Sequence, residues 1–175
     1  MTIKGKKVII KKTEKKDLEN IKSLWNKGEV MKWVGFPDGL NQTINDVRKW
    51  WEKIQKSDQA HHFVVFNKNN KFCGELFYKK DPEHKRAGLD IKFLPEVQGK
   101  GLATESLQLL INYIFKNEPV VKAVWTEPSK ENDAARKLYS RCDLKDKKRP
   151  DDMGTAESYW ELTRQTWQKN NSNFK

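Results

Sequence analysis

Between residues 86 and 115 the hydrophobic period changes from two to about 3.6 across a short glycine-containing turn. No other feature constrains the fold of this chain as much. Leu89, Ile91 and Phe93 alternate with Asp90 and Lys92, so Arg86–Phe93 reads as a strand with one buried and one polar face. Leu107, Leu110, Ile111, Ile114 and Phe115 then fall at helical spacing. The connecting segment is Leu94-Pro95-Glu96-Val97-Gln98-Gly99-Lys100-Gly101-Leu102-Ala103-Thr104. Glycines at 99 and 101 let the backbone turn sharply and approach a ligand closely. The helix that starts here offers unpaired N–H groups and the positive end of its dipole. Together these features predict an anion site suited to a pyrophosphate. The dipole contributes only about 0.3–1 kcal/mol per charge, so directed N–H bonds must supply most of the grip.

Two familiar phosphate loops fit poorly. A Walker A loop needs G-x-x-x-x-G-K-[ST], which the segment lacks. A dinucleotide fingerprint needs a third glycine where Thr104 stands. A glycine-rich turn that serves geometry alone is the remaining alternative.

Around this segment the chain reads as one domain, residues 1–168, with a tail at 169–175. Val8–Ile10 reads as a strand. Thr13 is a candidate cap for a helix carrying Leu18, Ile21, Leu24 and Trp25. Thr43 with Asp46 resembles a capping box, and Val47, Trp50, Trp51 and Ile54 follow at helical spacing, with the tryptophan pair read as core. His62–Phe66 and Phe72–Tyr78 form a hairpin about the turn at 67–70. Val120–Trp125 reads as a strand, Ala135, Leu138, Tyr139 and Cys142 as a helix, and Leu144–Lys148 and Ser158–Thr163 as closing strands. The order predicts an α+β fold, a mixed sheet covered by helices. Parallel neighbours are expected where a strand–helix–strand crossover surrounds residues 93–124.

Charge and cysteine usage bound the function classes. No run approaches the roughly 18 apolar residues of a membrane span, and the first residues carry no apolar stretch of the signal-peptide kind. Cys73 and Cys142 suggest neither a disulfide scaffold nor a metal site, so a cytoplasmic address without a metal is expected. The formal charge of +11 is concentrated in residues 1–27, with a balance of +6, and residues 136–150, with +5. Such blocks suit a polyanionic ligand, a nucleic acid or a ribosomal surface, or simply a solvated surface.

The segment resembles the acetyl-CoA loop of the GNAT acetyltransferase superfamily, whose form is Gln/Arg-x-x-Gly-x-Gly/Ala. Gln98, Gly101 and Ala103 match it in place. Asn132-Asp133-Ala134-Ala135-Arg136-Lys137-Leu138-Tyr139 resembles that family's second CoA-contacting helix, and the length and two N-terminal helices look most like its ribosomal-protein N-acetyltransferase branch. The resemblance implies a GNAT-like, mostly antiparallel twisted sheet with a central splayed parallel strand pair. It implies acetyl-CoA as cofactor, held by Phe93, Leu94, Pro95, Gln98, Gly99, Lys100, Gly101, Leu102, Ala103, Thr104, Asn132, Ala135 and Arg136. The pantetheine arm would pair with Phe93–Pro95 like an added strand, and an N–H near Phe93 would polarise the thioester carbonyl. Asn132 would either contact pantetheine or cap its helix. Tyr139 would donate a proton to the departing thiolate, with core packing as the alternative.

Two departures from the family pattern stand out. The strand before the loop lacks the early glutamate that many relatives use as base, and Ala87 and Gly88 lie there instead. Asp90 is the carboxylate in that strand and becomes the candidate base, with His84 and Glu75 as further candidates. After Tyr139, Asp143-Leu144 replaces the family's Gly-Phe, and Asp is expected to take the left-handed C-cap conformation. The expected acceptor is a primary amine on a small molecule or a protein N-terminus. A cationic acceptor would need acidic residues, and Glu29, Asp38, Glu127, Asp151 and Asp152 are the candidates. A non-catalytic binding module on nucleic acid or ribosomes is the alternative class.

Overall fold

A computed structural model describes residues 1–172. Its centre is an eight-stranded sheet in the order β1-β2-β3-β4-β5-β6-β8-β7. The strands are β1 (Thr2–Lys4), β2 (Val8–Lys12), β3 (Ala60–Asn67), β4 (Phe72–Asp81), β5 (Arg86–Phe93), β6 (Ala123–Thr126), β7 (Lys145–Asp146) and β8 (Trp160–Thr163). All neighbours are antiparallel except β5 and β6. The expected α+β architecture with a parallel pair inside the sheet is therefore present.

Alternation along β3–β5 divides the core between the two faces of the sheet. Val64 points to one face, where it meets Leu18 and Ile21 of α1 (Leu18–Trp25) and Val47 of α3 (Ile44–Gln55). Trp50 and Trp51 pack there, and Trp50 stands edge-on to Trp25 and His62 at 4.6 and 4.8 Å, as a core reading requires. Phe63, Val65, Leu76 and Tyr78 point to the other face, against α4 (Leu102–Asn117) and α5 (Asp133–Arg141). The stripe Leu107, Leu110, Ile111, Ile114 and Phe115 of α4 is fully buried there. Each such side chain contributes roughly 1.5–3 kcal/mol.

Local signals behave unevenly. Thr43 caps α3, accepting from the Asp46 N–H at 3.3 Å, while Asp46 accepts from the Thr43 N–H at 2.9 Å. Asp143 takes φ 65 just beyond α5, as expected of a left-handed cap. Thr13, however, does not cap α1. A 3-10 turn at Lys15–Asp17 precedes that helix, and the Thr13 hydroxyl lies 2.6 Å from His62 Nδ1 in the interior. A buried hydroxyl needs a partner, and His62 supplies it. At the start of the expected tail, α6 (Arg164–Ser172) runs past residue 168, and its Trp167 packs on Phe115 at 5.2 Å and donates to Asn112 Oδ1. The rest of the expected tail, 173–175, lies outside the described residues. The short strand β1 and the helix α2 (Gly28–Met31) carry no pattern long enough to read in sequence.

Candidate active site

Only three residue pairs join β5 to β6: Arg86–Ala123, Ala87–Val124 and Gly88–Trp125. Beyond Gly88 the two strands part, while β5 stays paired to β4 as far as Phe93. The Leu94 N–H donates to the Cys73 carbonyl at 2.9 Å. Peptide groups alternate in direction along a strand, so those of Ile91 and Phe93 point into the gap that β6 has left. An extended chain segment could pair with them there.

The gap opens into a cleft of about 870 Å³. Its walls are Asp90–Phe93 of β5, the loop and first turn of α4 (Gln98, Gly99, Gly101–Thr104), Thr126 at the end of β6 with Glu127–Ser129 after it, and Asn132 with one side of α5 including Ala135 and Tyr139. Glu29, Val30, Lys32, Trp33 and Val34, from α2 and the 3-10 turn after it, form the remaining wall. Gly99 and Gly101 have φ of 74° and 75°, a region that costs other residues about 1–2 kcal/mol. The first turn of α4 thereby opens toward the cleft with its N–H groups unpaired, which is the arrangement an anion needs.

Most of the expected cofactor residues meet here, and four do not. Leu94 is turned to Cys73, and Pro95 starts a 3-10 turn that lacks its own N–H at that point. The Lys100 ammonium bends back to the Glu96 carbonyl at 3.0 Å. Arg136 leaves the cleft to lie over Trp160, 5.8 Å from the ring centroid, and donates to the Lys130 carbonyl. Helical geometry explains that placement, since Lys137 and Arg141 are the basic residues of α5 on the cleft side. Asn132 caps α5, its side-chain oxygen accepting from the Ala135 N–H at 3.1 Å, and it also borders the cleft.

Lys7 was not legible as a site residue. It lies in the turn between β1 and β2, and its ammonium donates to the Lys100 carbonyl at 3.1 Å beside Gly101. Glu105 in the first turn of α4 holds that turn in place by accepting from the Lys6 and Lys7 backbone N–H groups.

Tyr139 is 5% exposed and borders the cleft as well as the core, so packing and a chemical role coexist. Burial pushes its phenol up to about 12, against a hydrogen bond with Thr126 that pulls it down. It is therefore protonated at neutral pH and able to donate.

A second groove, about 900 Å³, lies beside the first and shares Val34, Asp90, Thr126 and Glu127 with it. Phe77, Gly88, Leu89, Trp125, Asp81 and Glu83 line it, together with Lys79 and Lys80. Of the acidic candidates, Glu127 borders both spaces and Glu29 the first. Asp38 borders neither, Asp151 pairs with Lys148 on the surface, and Asp152 is tied to Arg86 and His84. His84 is thereby held between Asp81 and Asp152 outside both spaces. Glu75, a further candidate base, is buried behind Lys92.

Residues 7–145 match the acetyltransferase (GNAT) domain. The spermidine N(1)-acetyltransferase of Escherichia coli (strain K12) is 28% identical over 135 residues, which is 77% of this chain and 70% of that protein. Among solved structures, spermidine N-acetyltransferase from Vibrio cholerae in complex with CoA and spermine superposes with a TM-score of 0.80 at 19% identity, covering 94% of this chain and 99% of that one. The ribosomal L7/L12 alpha-N-protein acetyltransferase in complex with CoA also gives 0.80, at 13% identity, covering 95% and 99%. The chain belongs to the GNAT acetyltransferase family. It is an N-acetyltransferase, and acetyl-CoA is its donor. Family membership favours catalysis over the binding-module alternative.

Proposed function

We propose that the chain transfers acetyl from acetyl-CoA to a primary amine of a small cationic acceptor held in the second groove. One observation carries this reading. The two spaces meet at Asp90, Thr126 and Glu127, and the carboxylates Asp81, Glu83, Asp90 and Glu127 all border the acceptor side. Asp81 is shared with His84 and Arg86, Asp90 with Lys92 and Glu127 with Arg149, so a cationic acceptor would compete with these partners. The named relatives that act on spermidine agree with it.

Bound acetyl-CoA supplies the thioester carbonyl that the amine attacks. The residues of this chain do the rest. The amides of Gly101–Thr104 hold phosphate at the start of α4, with the Lys7 ammonium beside them. The Phe93 N–H donates to the thioester oxygen as charge grows on it. Asp90, directly or through water, takes the proton that the amine must lose in order to attack. Tyr139 donates to the leaving sulfur. Lys7 of the basic N-terminal block thus has a nearby use at the cofactor.

A protein N-terminus, as in the ribosomal-protein branch, is the second acceptor class. The exposed apolar side chains Trp33 and Val34 at the cleft wall favour it. The free cysteines Cys73 and Cys142 suit a reducing compartment, which supports a cytoplasmic location. Residues 1–168 are proposed as the catalytic domain, with α6 closing it.

Thiol release from acetyl-CoA, measured across small diamines, monoamines and short peptides with free N-termini, tests the acceptor class. Turnover with diamines at far lower concentration than with peptides is the expected result. Preference for peptides would assign the chain to the protein-acetylating branch instead.

A further inference from the structure

A chain of polar contacts runs from the α1 side of the sheet to Asp90, and the proposed mechanism leaves it unused. The Thr13 hydroxyl lies 2.6 Å from His62 Nδ1, and His62 Nε2 lies 3.1 Å from Glu75 Oε2. The Trp25 indole N–H donates to both Glu75 oxygens, at 2.8 and 2.9 Å. Lys92, paired with Glu75 across β4 and β5, places its ammonium 3.4 Å from Glu75 and in direct contact with Asp90 Oδ2. Side-chain exposure rises along the path: 1% at His62, 3% at Glu75, 12% at Lys92 and 43% at Asp90. The path ends at the point where the two grooves meet.

Burying a carboxylate and an ammonium is costly unless each is paired and hydrogen-bonded. A sheet that needed only stability would be served as well by apolar side chains here. The charges instead bracket the one carboxylate that faces both grooves from β5. Burial would raise Glu75, but His62, Lys92 and the Trp25 indole outweigh it and hold its carboxyl at about 2. Burial would lower Lys92, but Asp90 and Glu75 outweigh it and raise it. At neutral pH one ammonium is therefore shared by two carboxylates.

We propose that Lys92 and Glu75 form a positioning pair for Asp90: Lys92 fixes the Asp90 carboxylate where the grooves meet, and Glu75 competes with Asp90 for the Lys92 ammonium. The inference rests on Asp90 as the proton acceptor. Other titratable groups border the same space: Tyr139, Asp133, Lys137 and Arg141 from α5, Glu131 just before it, Glu127 after β6, and Glu29 and Lys32 from the α2 segment. Of these, Tyr139 lies close enough to feel both charges: Asp90 raises it and Lys92 lowers it.

The two partners act on Asp90 with opposite sign, and this makes a test possible. Lys92→Met removes the neighbouring cation, so the acid limb of the kcat/KM profile should move up by about one pH unit. Glu75→Gln leaves Lys92 wholly to Asp90, so the acid limb should move down. Each variant is compared with wild type on the same acceptor, so ionisation of the substrate cancels. Both shifts should vanish in an Asp90→Asn background. A Lys92→Met profile that superimposes on wild type, or shifts of the same sign in both variants, overturns the pairing even if Asp90→Asn is inactive. Full turnover in Asp90→Asn removes Asp90 as the base, and the pairing with it. If circular dichroism shows Glu75→Gln to be unfolded, the Lys92→Met profile decides alone.

Discussion

Lys7 and Gly101 stand 94 positions apart in sequence, yet a Cβ on Gly101 would come within 3.1 Å of the Lys7 ammonium. The first hairpin of the sheet and the anion loop therefore form one surface. The Lys7 ammonium uses one of its three protons on the Lys100 carbonyl and keeps two for a phosphate.

Lys7→Met should weaken CoA binding about three- to tenfold by calorimetry and flatten its dependence on salt. Exposed charge pairs are screened over about 10 Å at 0.1 M, so the wild-type affinity should fall as salt rises. Arg136→Met, which alters a side chain lying over Trp160, should leave CoA affinity unchanged. The reverse outcome would return the phosphate contact to α5.

Gly101→Asp forces a left-handed backbone onto a side chain and puts a negative charge at the start of α4. CoA affinity should drop at least tenfold. Gly99→Ala separates strain from charge, since Gly99 has the same φ but open space around it. It should cost about 1–2 kcal/mol of stability and much less affinity. Equal CoA binding in wild type and Gly101→Asp would place the phosphates elsewhere.

Tyr139→Phe keeps the buried ring and removes the hydroxyl. Turnover should fall by about 10²–10⁴ with unchanged CoA affinity, the usual range for loss of a general acid. Because the phenol is pushed up to about 12, the wild-type rate should show no alkaline fall from this group below about pH 10. Full activity in the Phe variant would leave Tyr139 as a packing residue.

Glu75 also links pH to stability. Its carboxyl titrates at about 2 when folded, against 4.5 ordinarily, so the charged form favours the native state. The contribution is fully present above about pH 4.5 and is lost as pH falls toward 2, roughly 3 kcal/mol at 1.36 kcal/mol per unit. Denaturant midpoints measured from pH 6 to pH 2.5 should fall steeply in wild type and much less in Glu75→Gln. Parallel curves would show that other carboxylates govern acid unfolding.

What was legible in the sequence was local. The alternation of Leu89, Ile91 and Phe93, the glycines at 99 and 101, and the Asn132–Tyr139 stretch each carry their structure within a few residues. The parting of β5 and β6 followed only from resemblance. It depends on a three-pair register that no single strand encodes. Long-range partners were harder still. His84 stood in sequence as a further candidate base, but its pairing with Asp152 depends on the path of a distant loop. Arg136 and Lys137 are adjacent in sequence and leave α5 on different sides, a distinction of helical phase that a count of basic residues does not contain. Lys7, Lys92 and Glu127 gave no motif. Each acquires its place through strand pairing, or through a turn that brings remote segments together.

The central claim is that an amine in the second groove attacks a thioester held in the first, with Asp90 between them. Initial rates of thiol release from acetyl-CoA against diamine concentration, in wild type and Asp90→Asn side by side, test it most directly. The account predicts saturable, acceptor-dependent release in wild type and a loss of about 10²-fold or more in Asp90→Asn, with CoA affinity unchanged. Release that ignores the diamine, or an Asp90→Asn variant as fast as wild type, would contradict it.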